Sequence, residues 1–358
     1  MTLNPSAAVP GEPQTAPRRS LSSSLNLTDK IFSTGRDREV VRAIEEGIAE
    51  LEARLIVETE FNDGLADVAA RYLLEAGGKR VRPILVMLTA QLGDGVNDDV
   101  ITASTSIELI HLASLYHDDV MDTAPERRGV PTAQNVWGNS VAILIGDLLF
   151  ARSSRLLTTL GEEVMRLQAD TFERLCMGQL HETIGPRDDE DPIEHYMQVL
   201  SDKTGSLIAA AARMGVVLSN APRIYEEAVV SFGEKVGIAF QLIDDVIDMS
   251  PPAAGTGKVA GTDVRAGVVT LPILYLRKRA TTDADAALLL ARLSNPADPA
   301  SDIDGAIAEL RAHPVTVDTI AEAHRWARGA IDSLGGLPDG TVKKTLTRFA
   351  DSVVNRTK

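Results

Sequence analysis

From about residue 37 to the C-terminus, apolar residues recur with helical spacing, and nowhere do they sustain a strict alternation with polar ones. Such a chain buries its apolar surface by packing helices on helices, so an all-α fold is predicted. The periodic stretches stop at EAGGKRVRP, QLGDGVNDD, TAPERRGVPTAQ, IGPRDDEDP, SNAPR, MSPPAAGTGKVAGTD, RATTDAD, LSNPADPASD and SLGGLPDG. Each carries the Gly, Pro, Asn or Asp that ends helices, leaving about ten helices between them. None is long enough for a convincing linker, so residues 31–358 are expected to form a single domain.

Residues 1–30 are rich in Pro and Ser, lack the apolar run of a secretory signal, and are expected to be a disordered tail. The longest apolar stretch, VAILIGDLLFA, is too short to span a bilayer and contains Asp147, so a cytoplasmic protein is expected. The single cysteine, Cys176, rules out a disulfide framework or a cysteine metal site, and its setting in FERLCMGQL predicts a buried, inert thiol. With 36 Lys+Arg against 51 Asp+Glu the net charge is −15, which excludes long-range attraction of nucleic acid. Anions can bind only where cations concentrate, as in GGKRVRP at 77–83 and ERRG at 126–129.

The pattern D-D-apolar-apolar-D occurs twice before a turn, as Asp118, Asp119 and Asp122 and as Asp244, Asp245 and Asp248. Each helical residue advances about 100°, so the three carboxylates of each set share one face. At a helix C-terminus this is doubly unfavourable, because the macrodipole is negative there and like charges one turn apart repel. A bound cation removes both objections, and an all-oxygen donor set points to Mg²⁺, which shares its shell with water and substrate phosphates. The bland reading is a solvated helix end, and RDDEDP at 187–192, which lacks apolar spacing and a basic partner, is assigned no site. Mg²⁺ held by carboxylates from two facing helices would hold a diphosphate between them as a leaving group. No P-loop pattern is present to cradle a nucleotide.

Lys79, Arg80 and Arg82 follow two glycines and precede Pro83, which suits the first turn of a helix and a second phosphate group, with a solvated basic turn as the alternative. Arg127 and Arg128 would face anions brought in by the metals, since guanidinium suits bidentate phosphate contact. His111 stands two turns before Asp118 on the same face, either as a hydrogen-bonded core residue or as a substrate contact. Gln241 lies on the acidic face of the second motif. Lys203 and Thr204 open KTGSLIAAAARMG, whose alanines are read as close helix packing.

Together GGKRVRP, HLASLYHDDVMD with RRGVPTAQNVWGNSVAILIGDLLFA, KTGSL, GIAFQLIDDVID and GTDVRAGVVTLPIL resemble, in order and over roughly residues 70–275, the motifs of the trans-isoprenyl diphosphate synthase family. The resemblance implies the isoprenoid synthase fold, with antiparallel helices around a central cavity, and a homodimer that condenses an allylic diphosphate with isopentenyl diphosphate. It places Mg²⁺ on Asp118, Asp119, Asp122, Asp244, Asp245 and Asp248. It assigns Lys79, Arg82, His111 and Arg128 to isopentenyl diphosphate, and Arg127, Lys203, Thr204, Gln241 and Lys258 to the allylic diphosphate. In that family diphosphate leaves, the isopentenyl double bond attacks the allylic cation, and a proton is lost with departing diphosphate as the usual base. One position departs from the family pattern: Val268 stands where many members have Lys, removing a diphosphate contact.

In the same family, aromatics four and five positions before the first motif stop elongation; here the residues are Ser114 and Ala113. Their small size, and the lack of a two-residue insertion in the motif, resemble long-chain synthases and imply a hexaprenyl to decaprenyl product, a quinone side-chain precursor released with peripheral membrane contact. Helix geometry sets Ser114 about 40° from Asp118 and Ala113 about 140° away, so geometry supports Ser114 and the role of Ala113 rests on the family. The competing readings are a short-chain synthase, the catalytic subunit of a heteromeric synthase, a regulatory subunit and a class I terpene cyclase. The six retained aspartates argue against a regulatory subunit. The second aspartate motif and the basic residues argue against a cyclase.

Overall fold

The computed structural model describes residues 38–251, 260–296, 298 and 301–356. The expected tail at 1–30 and Lys258 lie outside these residues. In chain order the first helices are α1 (Arg38–Glu58), α2 (Gly64–Glu75), α3 (Val81–Ala90) and α4 (Asp98–Met121). A hairpin of two-residue strands, β1 (Glu126–Arg127) and β2 (Val130–Pro131), precedes α5 (Ala133–Trp137), α6 (Asn139–Leu157), α7 (Glu162–Ile184) and α8 (Pro192–Leu200). A π-helical turn, Ser201–Gly205, joins α8 to α9 (Ser206–Leu218), followed by α10 (Glu226–Asp248) and the short α11 (Thr262–Arg265). The last helices are α12 (Leu271–Ala280), α13 (Ala284–Leu293), α14 (Ile303–Ala312), α15 (Pro314–Ser333) and α16 (Thr341–Val354). The architecture is all-α. The described residues hold sixteen α-helices rather than about ten, because Gly138 and short turns subdivide stretches whose periodicity runs on.

The central helix is α4, which packs against α1, α3, α6 and α9. It is buried on every side from Val100 to Ile110, including Ser104, Thr105 and Ser106. Those hydroxyls are satisfied within the protein: Ser104 and Thr105 donate to carbonyls one turn back, and Ser106 meets Ser153 of α6 at 2.7 Å. The helix begins well and ends badly. The Asn97 side chain accepts from Val100 N at 2.9 Å and Asp98 and Asp99 fill the first turn, a cap of about 1 kcal/mol. At the other end there is no basic residue in the last turn, and Asp122 is the C-cap. The end of α10 has the same defect, with Asp248 as its last residue.

The alanines of α9 are packing surface. A Cβ on Gly215 would sit 2.2 Å from the Val86 carbonyl of α3, and one on Gly233 of α10 would sit 2.6 Å from Ala209 Cα. The acidic loop RDDEDP ends in a helix cap: Asp191 accepts from Ile193 N and Glu194 N, with Pro192 in the first turn.

Cys176 corrects the sequence reading. It is exposed on α7, together with Met177 and Leu180, because the apolar surface of this helix exceeds what its neighbours cover. Its burial could not be read from an apolar context alone.

Candidate active site

The two acidic helix ends meet one further carboxylate. Asp263 of α11 donates its backbone N–H to Asp248 Oδ2 at 3.1 Å, and Asp248, Asp122, Glu182 and Asp244 all act on its charge. Burial and then those carboxylates push its pKa up to about 6. Asp118 is likewise pushed up to about 6, chiefly by burial, with Asp122 and Glu182 adding to the rise and Lys203 and Arg127 opposing it. Asp122 and Asp244 are also raised, with burial as the main cause. Residues far apart in sequence thus share one negative field, which a metal-free protein tolerates poorly.

The middle carboxylate of each motif is held by the protein. Asp119 is fully buried, and its Oδ1 accepts from Arg127 at 2.7 Å (Nε) and 2.6 Å (Nη2). Its Oδ2 is buried without a partner. Asp245 is 9% exposed; it accepts from the Tyr196 hydroxyl at Oδ2 and from the backbone N–H of Leu271. Asp244 pairs with Arg356 at 3.1 Å, whose guanidinium lies 3.9 Å from the Phe240 ring centroid and also donates to the Phe240 carbonyl.

Lys203 and Thr204 sit in the π-helical turn rather than at a helix start, a geometry common at functional sites. Lys203 Nζ is 2.5 Å from Glu182 Oε2 and is drawn toward Asp118 and Asp122, while Thr204 is buried. Gln241 is half-buried, one turn before Asp244 and Asp245 on α10.

A second, cationic site adjoins the first. The hairpin turn has positive φ at both Arg128 (55°) and Gly129 (79°), as a type I′ turn requires, and it sends two consecutive arginines to different places. Arg127 reaches Asp119, whereas Arg128 Nη1 donates to the Leu73 carbonyl at 2.5 Å. Gly78 allows this: a Cβ there would stand 2.5 Å from Arg80 Nη1 and 3.1 Å from Arg128 Nη2. Arg82 Nε is buried without a partner. Burial lowers the His111 pKa well below its usual value, and Arg82, Arg128, Arg80 and Arg127 lower it further, so the imidazole is neutral. Lys79 is exposed nearby and acts on Asp244. An unpaired donor among desolvated guanidiniums suits an anion.

Arg80 departs from the reading that counted it among phosphate-binding cations. Its side chain is 1% exposed and already paired with Glu52 at 2.7 Å and Glu108 at 2.9 Å, so its charge is spent in the core. Ser114, half-buried, donates to the His111 carbonyl, whereas Ala113 is fully buried. Val268 is 43% exposed and its N–H bonds to the Asp263 carbonyl, adding no cation.

Sequence reasoning missed Tyr196, Glu182 and Arg356, which carry no local pattern. It quoted Asp263 within a motif without giving it a role. Among the described residues no three His, Cys, Asp or Glu side chains are grouped so as to hold a metal ion by themselves. The orphaned Asp119 Oδ2 and the raised carboxylates fit a cation whose shell is shared with water and phosphate. A surface cleft between α13 and α14 contains none of these residues, and its Arg292 is already paired with Glu309 and Asp302.

The polyprenyl synthetase family pattern matches residues 64–310. A nonaprenyl diphosphate synthase of Mycobacterium tuberculosis is 40% identical over 335 residues, covering 93% of this chain and 97% of that one. A polyprenyl synthase from Caulobacter crescentus, solved with calcium and isoprenyl diphosphate, superposes with a TM-score of 0.82 at 28% identity over 92% of this chain and 98% of that one. A geranylgeranyl pyrophosphate synthase from Corynebacterium glutamicum, solved with the same two ligands, gives 0.79 at 36% identity over 91% and 99%. The isoprenoid synthase fold, the paired acidic helix ends and the adjoining cationic site therefore identify the chain as a prenyltransferase of the polyprenyl synthetase family, a trans-isoprenyl diphosphate synthase.

Proposed function

We propose that the protein condenses isopentenyl diphosphate with an allylic diphosphate to give an all-trans product of hexaprenyl to decaprenyl length, a quinone side-chain precursor. The observation that carries the length is Ser114: directly below the first acidic end stands a small, half-buried side chain rather than an aromatic floor. The kinship with a nonaprenyl synthase supports the same reading. The relative that makes geranylgeranyl diphosphate favours a shorter product as the second reading. Chromatography of dephosphorylated products separates them, and farnesol or geranylgeraniol as sole product overturns the long-chain assignment.

In this reading Asp118, Asp122, Asp244 and Asp248 would hold Mg²⁺, with Asp263 beside them. Asp119 has only Oδ2 to contribute, and Asp245 orients its neighbours while its own oxygens stay bound to Tyr196 and Leu271 N. When bound, Mg²⁺ neutralises the charge that develops on the departing diphosphate. Lys203, Arg127, Thr204 and Gln241 take the allylic diphosphate against the carboxylates, joined by Lys258. Arg82, Arg128, neutral His111 and Lys79 take isopentenyl diphosphate in the cationic site. Holding both substrates in reacting geometry supplies most of the acceleration, and the fixed guanidiniums stabilise charge without reorganising.

The protein acts in the cytoplasm as a homodimer through α6 and α7. Leu144 (60% exposed) and Leu148 of α6 and Met177, Leu180 and Ile184 of α7 are exposed apolar side chains that a partner copy would cover. No helix among the described residues is long and apolar enough to cross a membrane. A product this apolar would leave through peripheral contact with a lipid surface. Light scattering tests the dimer: the protein should run as two subunits, and Leu144→Glu with Leu180→Glu as one.

A further inference from the structure

The π-helical turn that carries Lys203 is gripped from one stripe of α7. Arg174, Gly178 and Glu182 lie four residues apart and so share a face of that helix. Each meets a different part of the turn. Arg174 Nε donates to Asp202 Oδ1 at 2.9 Å, and its Nη2 to Ser201 Oγ at 3.3 Å. Gly178 lets the backbones touch, since a Cβ there would fall 2.8 Å from Lys203 N and 3.0 Å from Asp202 Cβ. Glu182 takes the Lys203 ammonium at 2.5 Å.

The other side of the turn is closed as well. Arg174 Nη1 binds Glu234 of α10 at 2.7 Å, and Gln198 Nε2 of α8 donates to Asp202 Oδ2 at 2.8 Å. A Cβ on Gly237 would fall 2.7 Å from Gly205 Cα, so α10 abuts the turn directly. A π-helical turn has poorer local hydrogen bonding than an α-helix and persists where its surroundings hold it. Asp202 points back to Arg174, which turns the next residue, Lys203, toward Asp118 and Asp122.

We propose that Arg174, acting through Asp202, is a positioning residue that sets the place of Lys203 against the first acidic end. Arg174 itself is near the surface, with its side chain 40% exposed, and touches none of the carboxylates assigned to the metal. The inference rests on the reading that Lys203 binds the allylic diphosphate, and the experiment distinguishes the failure of either.

Steady-state kinetics of the full-length enzyme with Mg²⁺ would compare Arg174→Ala, Lys203→Ala and the double variant. Arg174→Ala should lower kcat/KM for the allylic diphosphate by about 10- to 100-fold, the scale of a misplacement near 1 Å, while KM for isopentenyl diphosphate stays unchanged. In the Lys203→Ala background the same change should cost less than twofold, because the residue it positions is gone. Asp202→Asn, which keeps the shape and weakens the grip, should reproduce the selective loss in a protein with unaltered melting. Multiplying effects in the double variant, or equal losses for both substrates, overturn the positioning role. Full activity of Lys203→Ala overturns the reading of Lys203 itself.

Discussion

The two acidic helix ends carry the same pattern and live in different surroundings. At the end of α4 the middle carboxylate, Asp119, is gripped by a guanidinium, and the outer Asp118 feels Lys203 and Arg127. At the end of α10 the middle carboxylate, Asp245, is gripped by a neutral phenol and a backbone amide, and the outer Asp244 faces Arg356. Four residues below Asp118 stands Ser114, whereas four below Asp244 stands Phe240, covered by that same Arg356. The first end therefore carries a small, half-buried side chain one turn back and has the cations Lys203 and Arg127 acting on it. The second end carries an aromatic ring at the matching position and is anchored to α8 and α12. A repeated motif set the faces; the neighbours divided the work.

The sharpest way to break this comparison is to remove one outer carboxylate at a time. Asp118→Asn and Asp244→Asn should each lower kcat for isopentenyl incorporation by about 10²- to 10³-fold. If only one of them does, the two ends are not halves of one metal clamp. Next comes Tyr196→Phe, which leaves Asp245 with one donor fewer. It should raise the Mg²⁺ concentration for half-maximal activity by about tenfold, the scale of losing an outer-shell partner. An unchanged metal requirement would show that Asp245 needs no phenol to hold its place.

Ser114→Phe makes the first end resemble the second, and should shorten the product by several isoprene units with little loss of initial turnover. Ala113→Tyr tests the neighbouring position, but that side chain has no free space and should lose about 1–3 kcal/mol of stability to overpacking. A full-length product from a well-folded Ser114→Phe enzyme would remove the floor from this site.

The smallest effect is on stability. Asp118 and Asp263 have pKa values near 6 in the folded, metal-free protein, against 3.8 for the free side chain. A carboxyl raised by folding binds its proton more tightly in the native state, so its contribution favours folding at low pH and is lost as pH rises through about 6. Metal-free protein should melt a few degrees higher at pH 5 than at pH 7, and Asp263→Asn should shrink that difference. A difference unaffected by Asp263→Asn would mean that these carboxylates do not share one field.

Much of the fold was legible because helix signals are local. Asn97, Asp191 and Asp283 all cap helices at breaks read from composition. The acidic faces were legible for the same reason, since spacing along one helix decides them. The fate of single charges was not. Arg80 and Arg82 look alike in GGKRVRP, yet one is paired with Glu52 and Glu108 and the other has an orphaned Nε. Cys176 looked buried because its sequence neighbours are apolar, and it is exposed because no element among the described residues covers that face.

The sequence by itself determined the helices, the two carboxylate faces, the cationic loop and the family. Only the tertiary structure decided which carboxylates stay open, where Arg127 and Arg128 part company, and that Lys203 rides on a π-helical turn. The physical reason is range. A helix repeats about every 3.6 residues and can be read from a short window. The partners that settle each charge come from elements 49 residues away for Tyr196 and Asp245, and 55 for Arg128 and Leu73. Their proximity exists only once the helices have packed.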